Sequence, residues 1–207
     1  MRRVIGLDAS TSTIGICILD YDEDGYQPSL VHYEYYKPQK QDSNKEKRPI
    51  ADWVLEAREH IFNLIDCYDV TELVIEDYIR FMQGQSSAQT IIPLAILNMT
   101  LRIGVKDRYG WDATALTVGK VRHAIKRDHV LPKKEDIPAL VSIYLFGIKE
   151  FPWFREFKPR KKVWAIMEES YDVADAMAVA LAYVKLRSRP EKKKPSNKRK
   201  KTKRKKA

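Results

Sequence analysis

The sequence predicts an α/β fold, a mixed five-stranded sheet flanked by helices, with a disordered basic C-terminal tail. Three strand patterns joined by short polar turns come first, which is typical of an antiparallel meander. Helical and strand patterns then alternate, which favours further strands covered by helices. The chain closes on a run of Lys and Arg that cannot bury a core.

Each predicted element rests on a local pattern. The predicted strands are residues 4–7, 16–19, 30–36, 70–76 and 113–118. The predicted helices are residues 49–65, 87–108, 120–127, 134–146 and 171–185. Pro49 suits the first turn of its helix, whereas Pro93 either kinks the second helix or marks its true start. Gly119 ends the fifth predicted strand.

The length and the charge distribution predict one domain and a tail. A chain of 207 residues fits a domain at residues 1–187 followed by a tail at 188–207. Residues 185–207 hold 14 Lys and Arg and one acid, so they carry a formal charge of +13, whereas the rest of the chain carries −3. Such a tail favours binding to nucleic acid, which releases counterions from phosphates. A purely solvated tail and a nuclear localisation signal are the alternatives.

The sequence contains no apolar run of about 18 residues, so no membrane partner is expected. The first strand begins close to Met1, which leaves no secretory apolar region before it. We therefore expect the protein in the cytoplasm, or in the nucleus if the host is eukaryotic.

The first hairpin places an acid at a constrained position. Asp8 follows an apolar strand, and small hydroxyl residues and Gly15 come after it. Strand side chains alternate, so Asp8 shares a face with Val4 and Gly6. A half-buried carboxylate there is unfavourable unless it is paired, hydrogen-bonded or bound to a metal. Asp8 could cap the turn, hold a metal, or belong to the phosphate-binding turn of an actin-like ATPase or sugar kinase.

Three further acids lie where regular structure would fix them. Glu76 ends a buried strand, and Asp172 and Asp175 share one face of the last helix at its predicted start. Asp172 could be only an N-cap, and single acids at strand ends are common. Together with Asp8, however, these acids suit hard divalent cations. Two such cations about 4 Å apart can promote phosphodiester hydrolysis.

Three motifs occur in a fixed order: Gly-Leu-Asp-Ala-Ser-Thr at residues 6–11, Leu-Val-Ile-Glu at 73–76 and Asp-Val-Ala-Asp-Ala at 172–176. This set resembles the RuvC family of Holliday junction resolvases, particularly its phage and viral branches. The resemblance covers about residues 3–186. It implies an RNase H-like fold, a homodimer, and Mg²⁺ or Mn²⁺ with two ions per active site. The catalytic metal ligands that it implies are Asp8, Glu76, Asp172 and Asp175.

The activity implied by the resemblance is symmetrical nicking of four-way DNA junctions, which leaves 5′-phosphate and 3′-hydroxyl ends. Basic residues after the fifth strand contact the DNA backbone in the family, and Lys120 and Arg122 lie there. A solvated helix face is the simpler interpretation of these two residues. The family also places an aromatic wedge after the glutamate. Here Phe81 and Met82 come two residues beyond the expected offset, so local packing competes with a wedge role.

The segment at residues 150–168 alternates aromatic and basic residues and is longer than its counterpart in the family. It could stack on DNA, extend a dimer interface or cover the sheet. We expect Lys158 and Lys161 in this segment, and Ser10 in the first turn, to contact DNA.

Three other functions compete with a junction resolvase. A fragment of an actin-like ATPase or kinase shares the opening turn, but it needs a second domain and leaves the acids of the last helix unexplained. A nuclease for other branched, flapped or RNA-containing nucleic acids would use the same metal chemistry, so the acids cannot separate it from a resolvase. A non-enzymatic DNA-binding protein is disfavoured, because acids repel phosphates unless a metal is present.

Overall fold

The computed structural model describes residues 1–10, 12–22, 28–41, 46–77, 88–127, 130–147, 153, 155–158 and 163–188. The strands of the main sheet are β1 (Arg2–Ala9), β2 (Ile14–Tyr21), β3 (Ser29–Tyr36), β4 (Glu72–Glu76) and β5 (Thr114–Leu116). The helices are α1 (Ile50–Cys67), α2 (Ala88–Tyr109), α3 (Val118–Ile125), α4 (Ile137–Phe146) and α5 (Glu168–Arg187). A 3₁₀ turn (Lys134–Asp136) precedes α4, and a separate hairpin of β6 (Arg155–Lys158) and β7 (Val163–Ile166) precedes α5.

The main sheet has five strands in the order β3-β2-β1-β4-β5. The pairs β1–β2 and β2–β3 are antiparallel, whereas β1–β4 and β4–β5 are parallel. The mixed five-stranded sheet flanked by helices is therefore confirmed. The parallel strands β1, β4 and β5 bring their carboxyl ends to one edge of the sheet, where ligands bind in many α/β proteins.

Helices cover both faces of the sheet, and the alternation of side chains along β1 divides the core between them. Val4 packs in the cluster that contains α3, α4 and α5. Ile5 and Leu7 pack in the opposite cluster, with α1 and α2. Gly6 faces α5 so closely that a Cβ there would lie 2.7 Å from the carbonyl oxygen of Ala176. Asp8 is thus on the α5 side, as the alternation predicted.

The structure corrects several predicted boundaries. Helix α5 begins at Glu168, and its N-cap is Met167, so Asp172 lies inside the helix and the N-cap interpretation of Asp172 is wrong. Pro93 lies inside a continuous α2. Helix α3 begins at Val118, because the Thr117 side chain accepts a hydrogen bond from the Lys120 N–H and caps the helix there.

The β6–β7 hairpin was not predicted. Its register pairs Phe157 with Trp164 and Lys158 with Val163. One residue, Met167, separates β7 from α5. The aromatic and basic segment therefore contains an antiparallel ribbon joined directly to the start of α5.

Among the helices of the described residues, none is both long and apolar enough to cross a membrane.

Candidate active site

The four predicted acids line one cavity of about 250 Å³ at the carboxyl edge of the parallel strands. Asp8 lies near the end of β1, Glu76 ends β4, and Asp172 and Asp175 project from α5. Three elements that are distant in sequence therefore supply one group of carboxylates. The cavity is small and polar at its acidic wall, which suits an ion or a phosphate better than an apolar ligand.

The β1–β2 turn fixes the position of Asp8. The Ser10 hydroxyl accepts a hydrogen bond from the Thr13 N–H and donates one to the Thr13 carbonyl oxygen, both at 2.9 Å. The Ser10 N–H also donates to the Thr13 carbonyl oxygen at 2.9 Å. These bonds hold Asp8 in register with Gly15 on β2. Asp8 therefore sits on regular, hydrogen-bonded backbone rather than in a loose loop.

Gly15 lets α5 approach the sheet at this point. A Cβ on Gly15 would lie 2.0 Å from the carbonyl oxygen of Asp172 and 2.4 Å from its carbonyl carbon. No side chain fits there, so glycine is required for backbone contact between β2 and α5. Because Gly15 pairs with Asp8, this contact brings the Asp172 backbone next to the β1 acid.

The carboxylates destabilise one another's charge. Burial, together with Glu76 and Asp175, raises the pKa of Asp8 well above its usual value. Burial and the Asp175 charge raise the pKa of Glu76 to about 7. Burial also raises the pKa of Asp175, which reaches about 6 although Lys134 opposes the shift. A bound cation would offset this repulsion, so the set of donors fits a divalent metal.

Asp172 is buried, and its side chain is hydrogen-bonded to that of Thr13. Burial raises its pKa, whereas Lys134 and a side-chain hydrogen bond from Thr13 act in the opposite direction. Thr13 is itself buried, at 4% exposure, so this bond is shielded from solvent. Thr13 therefore orients Asp172 toward the turn that also carries Asp8.

Within the described residues, no three His, Cys, Asp or Glu side chains converge closely enough to hold a metal ion in their present positions. What fits a metal is the chemistry of the set: four carboxyl groups around one polar cavity, with raised pKa values and hard oxygen donors.

RuvC of Thermus thermophilus has the same fold over nearly the whole length of both chains. Its structure in complex with a Holliday junction substrate is 16% identical, has a TM-score of 0.61, and covers 89% of this chain and 94% of that chain. A second T. thermophilus RuvC structure is 18% identical with a TM-score of 0.62, and covers 88% and 93%. This chain has the RuvC fold.

The yeast mitochondrial Holliday junction resolvase Ydc2 resembles the chain less closely. It is 15% identical, has a TM-score of 0.50, and covers 90% of this chain and 79% of that chain. No protein-family model and no curated protein matches the sequence. The predicted RuvC-like, RNase H-like architecture is confirmed at the level of structure.

Two basic side chains enter the cavity of this RuvC fold. Arg122 on α3 lines it, as does Lys134 from the 3₁₀ turn. The Lys134 Nζ atom lies 3.8 Å from a carboxylate oxygen of Asp175. Lys120, two residues before Arg122, is exposed and does not line the cavity. No sequence pattern singled out Lys134, because it is one of several charged residues at the predicted start of a helix.

The other residues that were predicted to contact DNA do not all lie at the cavity. Ser10 lines the cavity, and its hydroxyl is engaged in the turn. Lys158 lies on β6, in the hairpin that leads into α5. Phe81, Met82 and Lys161 fall outside the described residues, so the wedge and the DNA contact of Lys161 stay predictions.

Proposed function

We propose that this protein is a Holliday junction resolvase, a metal-dependent endonuclease that nicks four-way DNA junctions symmetrically. The observation that carries the proposal is one cavity in a RuvC fold lined by four acids and two basic side chains. A T. thermophilus protein of the same fold was solved with a Holliday junction substrate. Carboxylates alone would repel DNA, so this arrangement suits phosphate chemistry only with cations.

In this proposal Asp8, Glu76, Asp172 and Asp175 hold Mg²⁺ or Mn²⁺, with two ions per site. When bound, the pair of ions would activate a water and stabilise the leaving oxygen in phosphodiester hydrolysis. The products would carry 5′-phosphate and 3′-hydroxyl ends. The carboxylates must be ionised to bind cations, and the raised pKa values of Glu76 and Asp175 make this a pH-dependent step.

Arg122 and Lys134 supply the positive charge that faces the DNA in this proposal. Both line the cavity beside the acids, and both lower the pKa of Glu76 and of Asp175. A phosphodiester entering the cavity would meet these two cations as well as the ions. Lys134 would then exchange its contact with Asp175 for one with a phosphate oxygen.

A homodimer follows from the two-fold symmetry of a junction. Helix α2 offers a surface for it, since its outward face carries a stripe of exposed apolar residues. The stripe is Ile92 (52% exposed), Ile96 (39%), Met99 (44%) and Ile103 (61%). Their spacing of four, three and four residues keeps them on one side of the helix. A second cavity, of about 650 Å³, adjoins the stripe and is lined by residues of both charges.

The mixed charges beside the stripe favour a second copy of this chain as the partner that covers it. Lys106 and Asp112 already pair within the chain at 3.2 Å, but Arg102 and Asp107 also line this cavity, so a two-fold copy could pair these two across the interface. We expect Ile103→Asp to give monomers in light scattering. Leu55→Asp changes an apolar residue of α1 that is 44% exposed, and it should leave the dimer intact. A dimer that survives Ile103→Asp places the interface elsewhere.

The basic tail completes the proposal as a DNA tether. Truncation after Ser188 should weaken junction binding and flatten its dependence on salt, because fewer counterions are released. An unchanged salt slope would leave the tail without a role in DNA binding.

The deciding experiment is cleavage of a synthetic four-way junction in Mg²⁺ and in Mn²⁺, beside a linear duplex, a flap and an RNA–DNA hybrid. Paired symmetrical nicks confined to the junction are the expected result. Cleavage of flaps or hybrids instead would keep the fold and the acids but replace the substrate. Binding of all substrates without cleavage would overturn the enzymatic proposal.

A further inference from the structure

Glu76 occupies an unusual position in its strand. The β1–β4 register ends with Leu7 opposite Ile75, so Glu76 has no partner on β1. On its other side Glu76 is in register with Leu116 of β5. The β1–β4 ladder therefore stops one residue before Glu76, whereas the β4–β5 ladder includes it.

The carbonyl of Glu76 points to the β1 side of the strand. The next residue, Asp77, donates its N–H to the Leu116 carbonyl oxygen at 2.7 Å, which is the β5 side. The carbonyl of one residue and the N–H of the next belong to one peptide unit, and in an extended strand they point to opposite sides. The Glu76 carbonyl therefore points toward the side where β1 has left the ladder, and it needs another donor.

Asn98 of α2 supplies that donor. Its side-chain Nδ2 donates to the Glu76 carbonyl oxygen at 3.3 Å. A carbonyl oxygen can only accept, so the orientation of the carboxamide is fixed by this bond. The bond joins α2 to the last residue of β4 across the segment at residues 78–87.

An asparagine at this position is unfavourable for packing alone. Asn98 is 2% exposed, and its neighbours Leu97 and Leu101 are fully buried in the cluster between the sheet and α2. Its Oδ1 accepts no hydrogen bond from the described residues. A buried carboxamide with an unsatisfied oxygen destabilises a core that leucine would fill.

We propose that Asn98 is a positioning residue that holds the end of β4 so that the Glu76 carboxylate faces the other three acids. The inference rests on the proposed function, because it assigns Asn98 to the cation site formed by those acids. Asn98 does not line the cavity of the four acids, and in this proposal it acts through the Glu76 backbone. Outer-shell partners of this kind typically change metal affinity by about 10- to 100-fold when removed.

The test measures cation binding without DNA, from the loss of the free Mn²⁺ signal in electron paramagnetic resonance. Asn98→Leu keeps the approximate volume and removes the donor, and we expect it to weaken Mn²⁺ binding at least about 10-fold. Asn98→Ala is the second variant, in case leucine does not fit. Ser142→Ala is the matched control, because Ser142 is a fully buried polar residue of α4 whose hydroxyl donates to the Pro138 carbonyl oxygen in its own helix.

The outcomes distinguish a failure of the proposed role of Asn98 from a failure of the resolvase proposal. Wild-type binding that Asp8→Asn abolishes and both Asn98 variants weaken, with Ser142→Ala unchanged, supports the inference. Wild-type affinity in the Asn98 variants overturns it and leaves the resolvase proposal standing, as does an equal loss in Ser142→Ala. Binding that Asp8→Asn does not alter overturns the cation site itself, and the role of Asn98 with it.

Discussion

Glu72 and Glu76 open and close the same strand, yet their surroundings are opposite. Glu72 accepts hydrogen bonds from the Tyr21 hydroxyl and from the guanidinium groups of Arg2 and Arg187. Glu76 faces three other acids across a cavity, and its pKa is raised to about 7. The two residues are four positions apart, and side chains alternate along a strand, so both lie on the same face of β4.

Helix α5 connects the two ends. It carries Asp172 and Asp175 near its start and Arg187 at its last residue, a distance of about 22 Å along the axis from Asp172. At the far end Asp20 is also paired, with Arg3 at 2.6 Å. One edge of the sheet thus neutralises its carboxylates with arginine, whereas the other places four of them around one cavity. Pairing with arginine stabilises the first arrangement, and the proposed cation site would account for the second.

The largest expected effect comes from Asp8→Asn, which removes the acid whose pKa is raised by each of the other three. Cleavage should fall by on the order of 10³-fold, because the cation site loses a ligand, while junction binding is retained. Without metal at pH 8 the variant should be more stable than the wild type, since one repelling charge is gone. Junction cleavage and thermal unfolding measure the two effects. Retained cleavage would remove Asp8 from the mechanism.

Gly15→Ala tests the backbone contact that brings α5 to the acid edge. Its Cβ would collide with main-chain atoms of Asp172, which cannot rotate away. We expect a loss of about 3 kcal/mol in the free energy of unfolding. Cleavage by the remaining folded protein should fall about 100-fold, because two acids are displaced.

Gly119→Ala is the matched control for Gly15→Ala. A Cβ at Gly119 meets nothing within 4 Å, and the residue lies inside α3. Alanine there should leave cleavage unchanged and stabilise the helix by about 0.5 kcal/mol. Equal unfolding curves for the two alanine variants would mean that α5 does not need this close approach.

The contrast between the edges also explains what the sequence could predict. A local pattern places each of Asp8, Glu76, Asp172 and Asp175 on a strand or a helix, and the resemblance to the RuvC family implied that they hold metal ions. The sheet followed from the same patterns, and its mixed character is confirmed. The start of α5 was predicted three residues late, because its N-cap, Met167, carries no capping side chain.

Contacts between residues that are distant along the chain could not be predicted from the sequence. Lys134 contacts Asp175 from the 3₁₀ turn before α4, and in the sequence Asn98 looks like a polar interruption of an apolar helix. Neither role depends on a local period or spacing, because both arise from how α2 and the 3₁₀ turn pack against the sheet. Tertiary packing therefore decides which polar residues join the four acids.

The raised pKa values at the cavity of the four acids predict that the protein becomes less stable as the pH rises. Burial and neighbouring charges raise the pKa of Glu76 from 4.5 to about 7 and that of Asp175 from 3.8 to about 6. The folded state therefore binds protons more tightly than the unfolded state. Without divalent cations the free energy of unfolding should fall by several kcal/mol as the pH rises from about 4 to 7, with about 6 kcal/mol as the upper bound from these two groups.

Denaturant unfolding of the wild type and of Glu76→Gln across this range measures the slope. Glu76→Gln should flatten it, because the residue no longer titrates. Saturating Mg²⁺ should abolish the fall, since cations bind the ionised form. A wild-type slope equal to that of Glu76→Gln would mean that Glu76 does not carry the repulsion at this edge.

The smallest effect is expected at the paired edge, from Glu72→Gln. The amide keeps the shape but weakens the bonds from Arg2 and Arg187, which are both partly exposed, so the free energy of unfolding should fall by only about 1 kcal/mol. Cleavage and Mn²⁺ binding should equal those of the wild type at temperatures where the variant is folded. If Glu72→Gln instead reduced cleavage at full folding, the two ends of β4 would be coupled through α5, and the division between a stabilising edge and a functional edge would be wrong.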